Sequence, residues 1–473
     1  MSIEPAAGVV FPATVQVLVI GGGACGLTAA LAAHDAGAEV LIVERDRLPR
    51  GSTALSSGFI PAAGTRFQRA KGIADSPALL AADILAKNKH RSDPAVTARV
   101  AEAAGPALEW LADRHQVPFG VVEGFLYAGH SVLRMHATPK RTGADLMGYL
   151  LAAAQKAGIE ILTGAHATAI FADAGGRVAG AEVTRPDGRR ETIGCRMLVL
   201  ACNGYGGNRA LVRRFIPEMG EALYFGHEGN QGDALVWGEA LGGVGRDLGA
   251  YQGHGSVAHP HGILITWALM MEGGFQVNAA GQRFSNENRG YSEQAVDVLR
   301  QPGGIAVDIF DERLHKLGLD FEDYRSAHAA GAIRSASTIE ALAGLFGIPA
   351  PALAATLAET HAMAAGQRSD RFGRDFRMKP ALAAPFYGVR VTGALFHTQG
   401  GLEIDTAARV LRRDGTPLPN LLAGGGAARG LSGPERDGYF SGGGLLTAVT
   451  LGRIAGQTAA AALAETRSTG AAN

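Results

Sequence analysis

The sequence predicts an α/β fold in which a parallel sheet is assembled from both ends of the chain and interrupted by an inserted α+β domain. Three observations carry the prediction. VQVLVIGGGACGLTAALAAHDAGAEVLIVERD (residues 15–46) reads as buried strand, glycine turn, helix and second buried strand. The strand–helix rhythm becomes irregular near Gly249, where histidines and methionines gather, and returns after Pro385. The chain then closes on a strand-and-hairpin segment, a LLAGGG turn and a long apolar helical pattern. With 473 residues, two or three domains are expected. The boundaries read as 1–249, 250–385 for the insertion, and 386–473.

The first element is also the most informative. Gly21, Gly23 and Gly26 fit G-x-G-x-x-G at the point where a strand gives way to a helix. Gly21 permits the tight turn, Gly23 lets the backbone approach a pyrophosphate, and Gly26 lets the helix pack close to the strand. The helix N-terminus offers free N–H groups to the phosphates. Glu44 ends the second strand about 20 residues on, where a carboxylate accepts from ribose hydroxyls. The full context predicts a Rossmann-like dinucleotide site. GSTALSSGFIPAAG (51–64), rich in small and hydroxyl residues, suits a loop laid against a flat ring, with Ser52, Thr53, Ser56 and Ser57 as donors.

Beyond it, DSPALLAADILAKNK and DPAVTARVAEAAGPALEWLADR read as helices opening on Asp75 and Asp93, and RTGADLMGYLLAAAQKAG as a third. Residues 165–208 read as a small β-meander with GG and PDG turns. GHEGNQGDALVWGEALGG follows as loop plus helix.

Bulk properties exclude several classes. Lysine and arginine balance aspartate and glutamate at 44 each, so charge favours neither nucleic acid nor an acidic membrane surface. Cys25, Cys195 and Cys202 are isolated, which argues against a zinc ribbon, an attached haem or a disulfide framework and fits a reducing compartment. No signal-peptide pattern and no membrane-length apolar run occurs. A cytoplasmic location is expected. His254, His259 and His261 lack an adjacent carboxylate, and no metal is expected.

VLVIGGGACGLTAALAA…VERD, GSTALSSG, GQRFSNE (281–287), FHTQGGLEID and LLAGGG…GRIAG occur in an order that resembles the flavoprotein family of fumarate reductases, succinate dehydrogenase flavoprotein subunits and 3-ketosteroid dehydrogenases. The resemblance spans essentially the whole chain. It implies a glutathione-reductase-type FAD domain, a cap over the isoalloxazine, and hydride transfer at flavin N5. The cofactor contacts it implies are Gly21, Gly23, Ala24, Cys25, Gly26, Glu44 and Arg45 in the first unit, and Gly51, Ser52, Thr53, Ser57 and Gly58 in the loop. Ala167, Ala201, Asn203, Gly204 and Asp233 follow, then Gly425, Gly426, Gly444, Leu445 and Leu446. Succinate dehydrogenase attaches its flavin to a histidine where Ser52 stands here, so non-covalent FAD is expected.

The same resemblance implies the chemistry. Fumarate reductases place an arginine ahead of the final glycine-led helix, where this chain has Phe440, and a proton-donor arginine where it has Tyr291. Trp267 and Met270 replace the remaining members of their proton path. Ketosteroid dehydrogenases instead have a tyrosine base like Tyr291, and a tyrosine followed four residues later by glycine, like Tyr439 and Gly443. That pair is an oxyanion hole for a ketone. Tyr439 with Ser441 also resembles the branch that desaturates ring ketones at another position. His254 and His397 match carboxylate-binding histidines of fumarate reductases, and Arg134 with His136 either joins the substrate set or ties the cap to the flavin domain.

The leading expectation is a dehydrogenase that forms a C=C bond α,β to the carbonyl of a cyclic ketone, of ketosteroid or oxocyclohexanecarboxylate type, with an external electron acceptor. The alternative is a di- or tricarboxylate oxidoreductase using His254, Arg289, His397 and Arg436. A second alternative is a non-catalytic flavin-binding subunit.

Overall fold

The computed structural model describes residues 2–470. Its first sheet is built around Ala13–Ile20, whose last four residues, Val17–Ile20, are buried, as a strand covered on both faces requires. It pairs in parallel with Val40–Val43 on one side and Arg190–Leu200 on the other. Arg190–Leu200 forks. Residues 190–194 run antiparallel to Val178–Thr184 in the expected meander, while 198–200 pair in parallel with 421–423 of the C-terminal strand Pro417–Ala423. Both ends of the chain therefore complete one sheet.

Two helices over this sheet pack on each other at short range. A Cβ on Gly456 would stand 2.1 Å from the Ala29 carbonyl oxygen, and one on Gly452 2.5 Å from that of Cys25. The terminal helix Gly443–Gly470 thus lies backbone to backbone on the helix Ala24–Asp35. Each fully buried Leu or Val in the surrounding core contributes about 1.5–3 kcal/mol. The helix Pro77–Lys87 is capped by Ser76, not by Asp75 as the sequence suggested, because Asp75 is committed to Arg134. Asp93 caps Pro94–His115 as expected.

The second sheet is mainly antiparallel. Its central strand, Phe386–Thr398, lies on the C-terminal side of the 250–385 segment delimited from the sequence, and pairs with Tyr251–Ala258, Ile305–Asp311 and Ile333–Ala336. The helix Tyr291–Leu299 packs against Tyr251–Ala258, where Gly253 N–H donates to the Ser292 hydroxyl at 3.0 Å. No helix among the described residues is long and apolar enough to cross a membrane.

Candidate active site

A cavity with about 1750 Å³ of empty space, part of it open to solvent, runs from the glycine turn of the first sheet to the tyrosines of the second. At the glycine end the turn has the geometry that the G-x-G-x-x-G spacing requires. Gly21 has φ +108°, and a Cβ there would meet the Ala201 carbonyl oxygen at 2.5 Å. A Cβ on Gly26 would sit 1.8 Å from the Gly21 carbonyl oxygen, whereas one on Gly23 would meet only Thr53 Oγ1 at 3.6 Å, leaving that face open to a ligand. Glu44 is fixed by accepting from Gly22 N–H at 2.7 Å and Asp46 N–H at 2.8 Å.

Of the other predicted cofactor residues, Ala24, Cys25 and Arg45 line the cavity, as do Gly51, Ser52, Thr53, Ser57 and Gly58. So do Ala167, Ala201, Asn203, Asp233, Gly425, Gly426, Gly444 and Leu445. Gly204 and Leu446 do not, since Gly204 packs against Thr398 and Leu446 is buried in the core. Gly26 acts from behind, by bringing the helix onto the strand. The sequence reading missed the 227–230 loop. Arg45 Nη1 donates to the Gly229 carbonyl at 2.9 Å, His227 Nε2 lies 2.7 Å from Asp46 Oδ2, and Ser52 Oγ accepts from Asn230 Nδ2 at 2.8 Å. The fixed acid, the open glycine face and the helix N-terminus fit a dinucleotide cofactor.

At the other end, Tyr291 is the first residue of its helix, and its ring centroid lies 5.9 Å from that of Tyr439. Burial pushes the Tyr291 phenol up to about 12, against the Ser441 hydroxyl, the Tyr439 hydroxyl and Gly442 N–H, which hold it down. Burial also raises Tyr439 well above the ordinary phenol range, with the adjacent Tyr291 adding to the rise, while Gly444 and Gly442 N–H favour its ionised form. His254 stacks on Tyr291 at 4.8 Å, and its Nδ1 accepts from Ser256 N–H at 3.1 Å. Burial depresses His254 to about 3 and His397 to about 4, so both rings are neutral. Gln399 Nε2 lies 3.1 Å from His397 Nδ1. Trp267 and Tyr127 complete the aromatic wall, with Tyr127 at 6.1 Å from Tyr291. Tyr127 was missed because its loop, GFLYAGHS, carries no spacing signal.

Several expected roles change. Gly443 N–H donates to the Phe440 carbonyl at 2.8 Å, closing the turn before the helix, so it is not free to hold an oxyanion. The N–H groups that reach the phenols belong to Gly442 and Gly444. Ser441 does not line the cavity but contacts Tyr291 from behind. Arg289 is half exposed and paired with Asp297, and Arg436 lies outside the cavity on the turn Arg436–Gly438. Phe440 is buried, its ring tilted against that of His130 with the centroids 4.0 Å apart.

Arg134 is fully buried away from the cavity, ion-paired with Asp75 at 3.1 Å and Asp83 at 2.6 Å, and His136 donates or accepts within the same region through Thr65 Oγ1 at 2.8 Å. Arg134→Met strands two carboxylates in the interior and is expected to destabilise the protein by about 3–5 kcal/mol. Thermal unfolding checks this, and KM for any substrate is expected to stay put.

Residues 16–444 match the FAD binding domain family, and the chain belongs to it. Fold, site and family together define an FAD-dependent oxidoreductase of the fumarate reductase and 3-ketosteroid dehydrogenase type. Among individual proteins, it is 31% identical to the NADH:fumarate oxidoreductase of Klebsiella pneumoniae (strain 342) over 95% of this chain, while spanning only 48% of that protein's length. It is 29% identical to the urocanate reductase of Eggerthella lenta, over 94% of this chain and 75% of that protein. The open conformation of a flavocytochrome c3 fumarate reductase superposes with a TM-score of 0.79 at 28% identity, over 97% of this chain and 79% of that one. The 3-ketosteroid-Δ4-(5α)-dehydrogenase of Rhodococcus jostii RHA1 does so at 0.76 and 25%, over 97% and 99%.

Proposed function

We propose that the protein interconverts a cyclic ketone and its α,β-unsaturated form, with non-covalently held FAD. The single observation that carries this reading is the charge of the cavity. Among the described lining residues the only permanent cation is Arg45, which sits with Asp46 and His227 beside the glycine turn. The residues that line the cavity around the tyrosines are neutral. A dicarboxylate buried there would lose its hydration with no cation to replace it, a cost of several kcal/mol. A neutral ketone needs only hydrogen-bond donors, which favours the ketosteroid-type substrate over the carboxylate-bearing one.

The chain's own groups then divide the work. Tyr439 O–H donates to the ketone oxygen while its own oxygen accepts from Gly444 N–H, and the helix Gly443–Gly470 directs its N-terminus at the same region. Tyr291 takes the α-proton, its phenolate supported by Ser441 and Gly442 N–H once the Tyr439 hydrogen turns from Tyr291 to the ketone. His254 and Trp267 hold the ring of Tyr291 and exclude water. FAD, when bound, supplies the acceptor for the hydride that leaves the β-carbon. The same groups serve the reverse reaction, which is the direction named for the Klebsiella and Eggerthella relatives. An external carrier exchanges electrons with the flavin, and the isolated cysteines favour a cytoplasmic enzyme.

The test is anaerobic bleaching of the bound flavin by a 3-ketosteroid, by 4-oxocyclohexanecarboxylate and by succinate in turn. Bleaching by the neutral ketone with enone formation supports the reading; bleaching by succinate alone overturns it. Because the ionised phenol is the base and its pKa is pushed to about 12, the rate of bleaching is expected to rise roughly tenfold per pH unit through the alkaline range. A stopped-flow pH series that stays flat would assign the proton to another group.

A further inference from the structure

The two tyrosines come from segments almost 150 residues apart, and each is the end of a loop that a third segment touches. That third segment is Lys87–Arg91, at the C-terminal end of the helix Pro77–Lys87. We propose that it is a positioning clamp that sets the separation of Tyr291 and Tyr439.

On the Tyr291 side, the residues gripped are the ones that flank it. Lys87 Nζ donates to the Arg289 carbonyl at 2.9 Å and forms an ion pair with Glu293, with the Lys87 and Glu293 side chains only 12% and 7% exposed. Gly290, with φ +136°, fits between them: a Cβ there would stand 2.7 Å from Glu293 Oε2 and 3.5 Å from Lys87 Nζ. Lys87 therefore fixes both the Arg289–Gly290 peptide, one residue short of Tyr291, and the first turn of its helix.

On the Tyr439 side, buried Asn88 donates through Nδ2 to the Leu431 carbonyl at 2.7 Å and to Ser92 Oγ at 2.7 Å, and its Oδ1 accepts from Arg91 N–H at 3.0 Å. A Cβ on Gly438, the residue before Tyr439, would lie 3.1 Å from Asn88 Cβ, so the loop rests on this side chain. Lys89 pairs with Asp437 at 2.8 Å and Arg91 with Glu435. These two pairs are exposed and individually weak, so Lys87 and Asn88 carry the clamp. The methylenes of Lys87 also lie 3.5 Å from where a Gly129 Cβ would be, beside His130, whose Nε2 bonds the Ser441 carbonyl at 3.1 Å. Lys89 and His90 both have left-handed φ, +57° and +60°, a costly local geometry that the surrounding contacts hold in place.

Lys87 and Asn88 touch neither tyrosine's hydroxyl, so they are positioning residues. The kinetic part of the proposal rests on the ketone reading above; the geometric part does not. The test uses FAD-loaded protein grown with 3-fluorotyrosine. With nine tyrosines, the ¹⁹F spectrum is small enough for Tyr291→Phe and Tyr439→Phe to identify two signals by deletion. In Lys87→Met/Glu293→Gln, which replaces the ion pair by neutral groups of similar size, the Tyr291 signal is expected to move. The rate of flavin reduction by the ketone is expected to fall about 10- to 100-fold, with KM within about threefold of wild type. Lys87→Arg, which keeps charge and donors, is expected to recover the wild-type signal and most of the rate. Asn88→Asp removes the donor to Leu431 and is expected to move the Tyr439 signal alone, which keeps the proposal testable if the double variant fails to retain FAD. Tyr291 and Tyr439 signals that stay at their wild-type positions in these variants would overturn the clamp. If the wild-type flavin is not bleached by any ketone, the ketone reading falls while the ¹⁹F comparison still decides the clamp.

Discussion

Tyr291→Phe is expected to slow reduction of the bound flavin by a cyclic ketone by about 10²- to 10⁴-fold, the usual contribution of a positioned general base. The substitution removes one oxygen and leaves the ring. The stacking on His254 at 4.8 Å and the contacts with Tyr127 and Tyr439 therefore persist, and the fold loses only a hydrogen bond or two, about 1 kcal/mol each. FAD content and thermal stability are expected to remain near wild type. Ketone binding is expected to survive as well, because the donor to its oxygen is Tyr439. The signature is thus a fall in kcat with KM nearly unchanged, the pattern of an interaction made only in the transition state. The dicarboxylate reading predicts the opposite dependence. It requires Arg289 or Arg436, yet Arg289 is occupied by Asp297 and Arg436 lies outside the cavity. Full turnover in Tyr291→Phe would remove the tyrosine mechanism, whichever substrate is used.

The parts of the molecule legible in the sequence are those fixed by local covalent geometry. The glycine turn could be read residue by residue, because each glycine answers a constraint imposed by neighbours within a few residues. The tyrosines are picked out by the family resemblance, which sets each at an offset from a motif, and the fold brings their rings to 5.9 Å from each other. What could not be read are contacts made by chain folding. Tyr127 and the 227–230 loop reach the cavity from segments with no periodic or spacing signal. Arg134 looked equally suited to a substrate or to a structural role, and only the arrival of Asp75 and Asp83 from a distant helix and loop decides it. Gly443 illustrates a subtler failure. Counting four residues from Tyr439 identifies the right turn, but the hydrogen bond of that turn to the Phe440 carbonyl uses up its N–H, and the free donors lie one residue to either side. Sequence spacing locates a helix start; which of its amides is free depends on how the turn closes.

The second large effect is expected at the glycine turn, where two neighbouring substitutions should separate folding from cofactor binding. In Gly26→Ala the new methyl would lie 1.8 Å from the Gly21 carbonyl oxygen, and the obstruction is backbone rather than the end of a movable side chain. Gly21 cannot retreat, since its own Cα is already pressed towards the Ala201 carbonyl, with a Cβ position 2.5 Å from that oxygen. The helix Ala24–Asp35 would have to lift off the strand, and with it the terminal helix that contacts Ala29 and Cys25 through glycine. The loss is expected to exceed about 4 kcal/mol, the range reserved for substitutions that break a core or a special backbone geometry. The protein should be recovered without flavin and unfold early. Gly23→Ala, three residues away, meets only Thr53 Oγ1 at 3.6 Å, so the apoprotein should fold as wild type. Its methyl instead projects into the face left open for the pyrophosphate. Overpacking of about 1–3 kcal/mol there corresponds to roughly 5- to 150-fold weaker FAD binding. Thermal unfolding of the apoproteins and FAD titration by flavin fluorescence read the two effects independently. Equal stability of both apoproteins would mean that the Gly21–Gly26 contact can relax, whereas equal FAD affinity in Gly23→Ala and wild type would mean that the phosphates do not approach the backbone at Gly23.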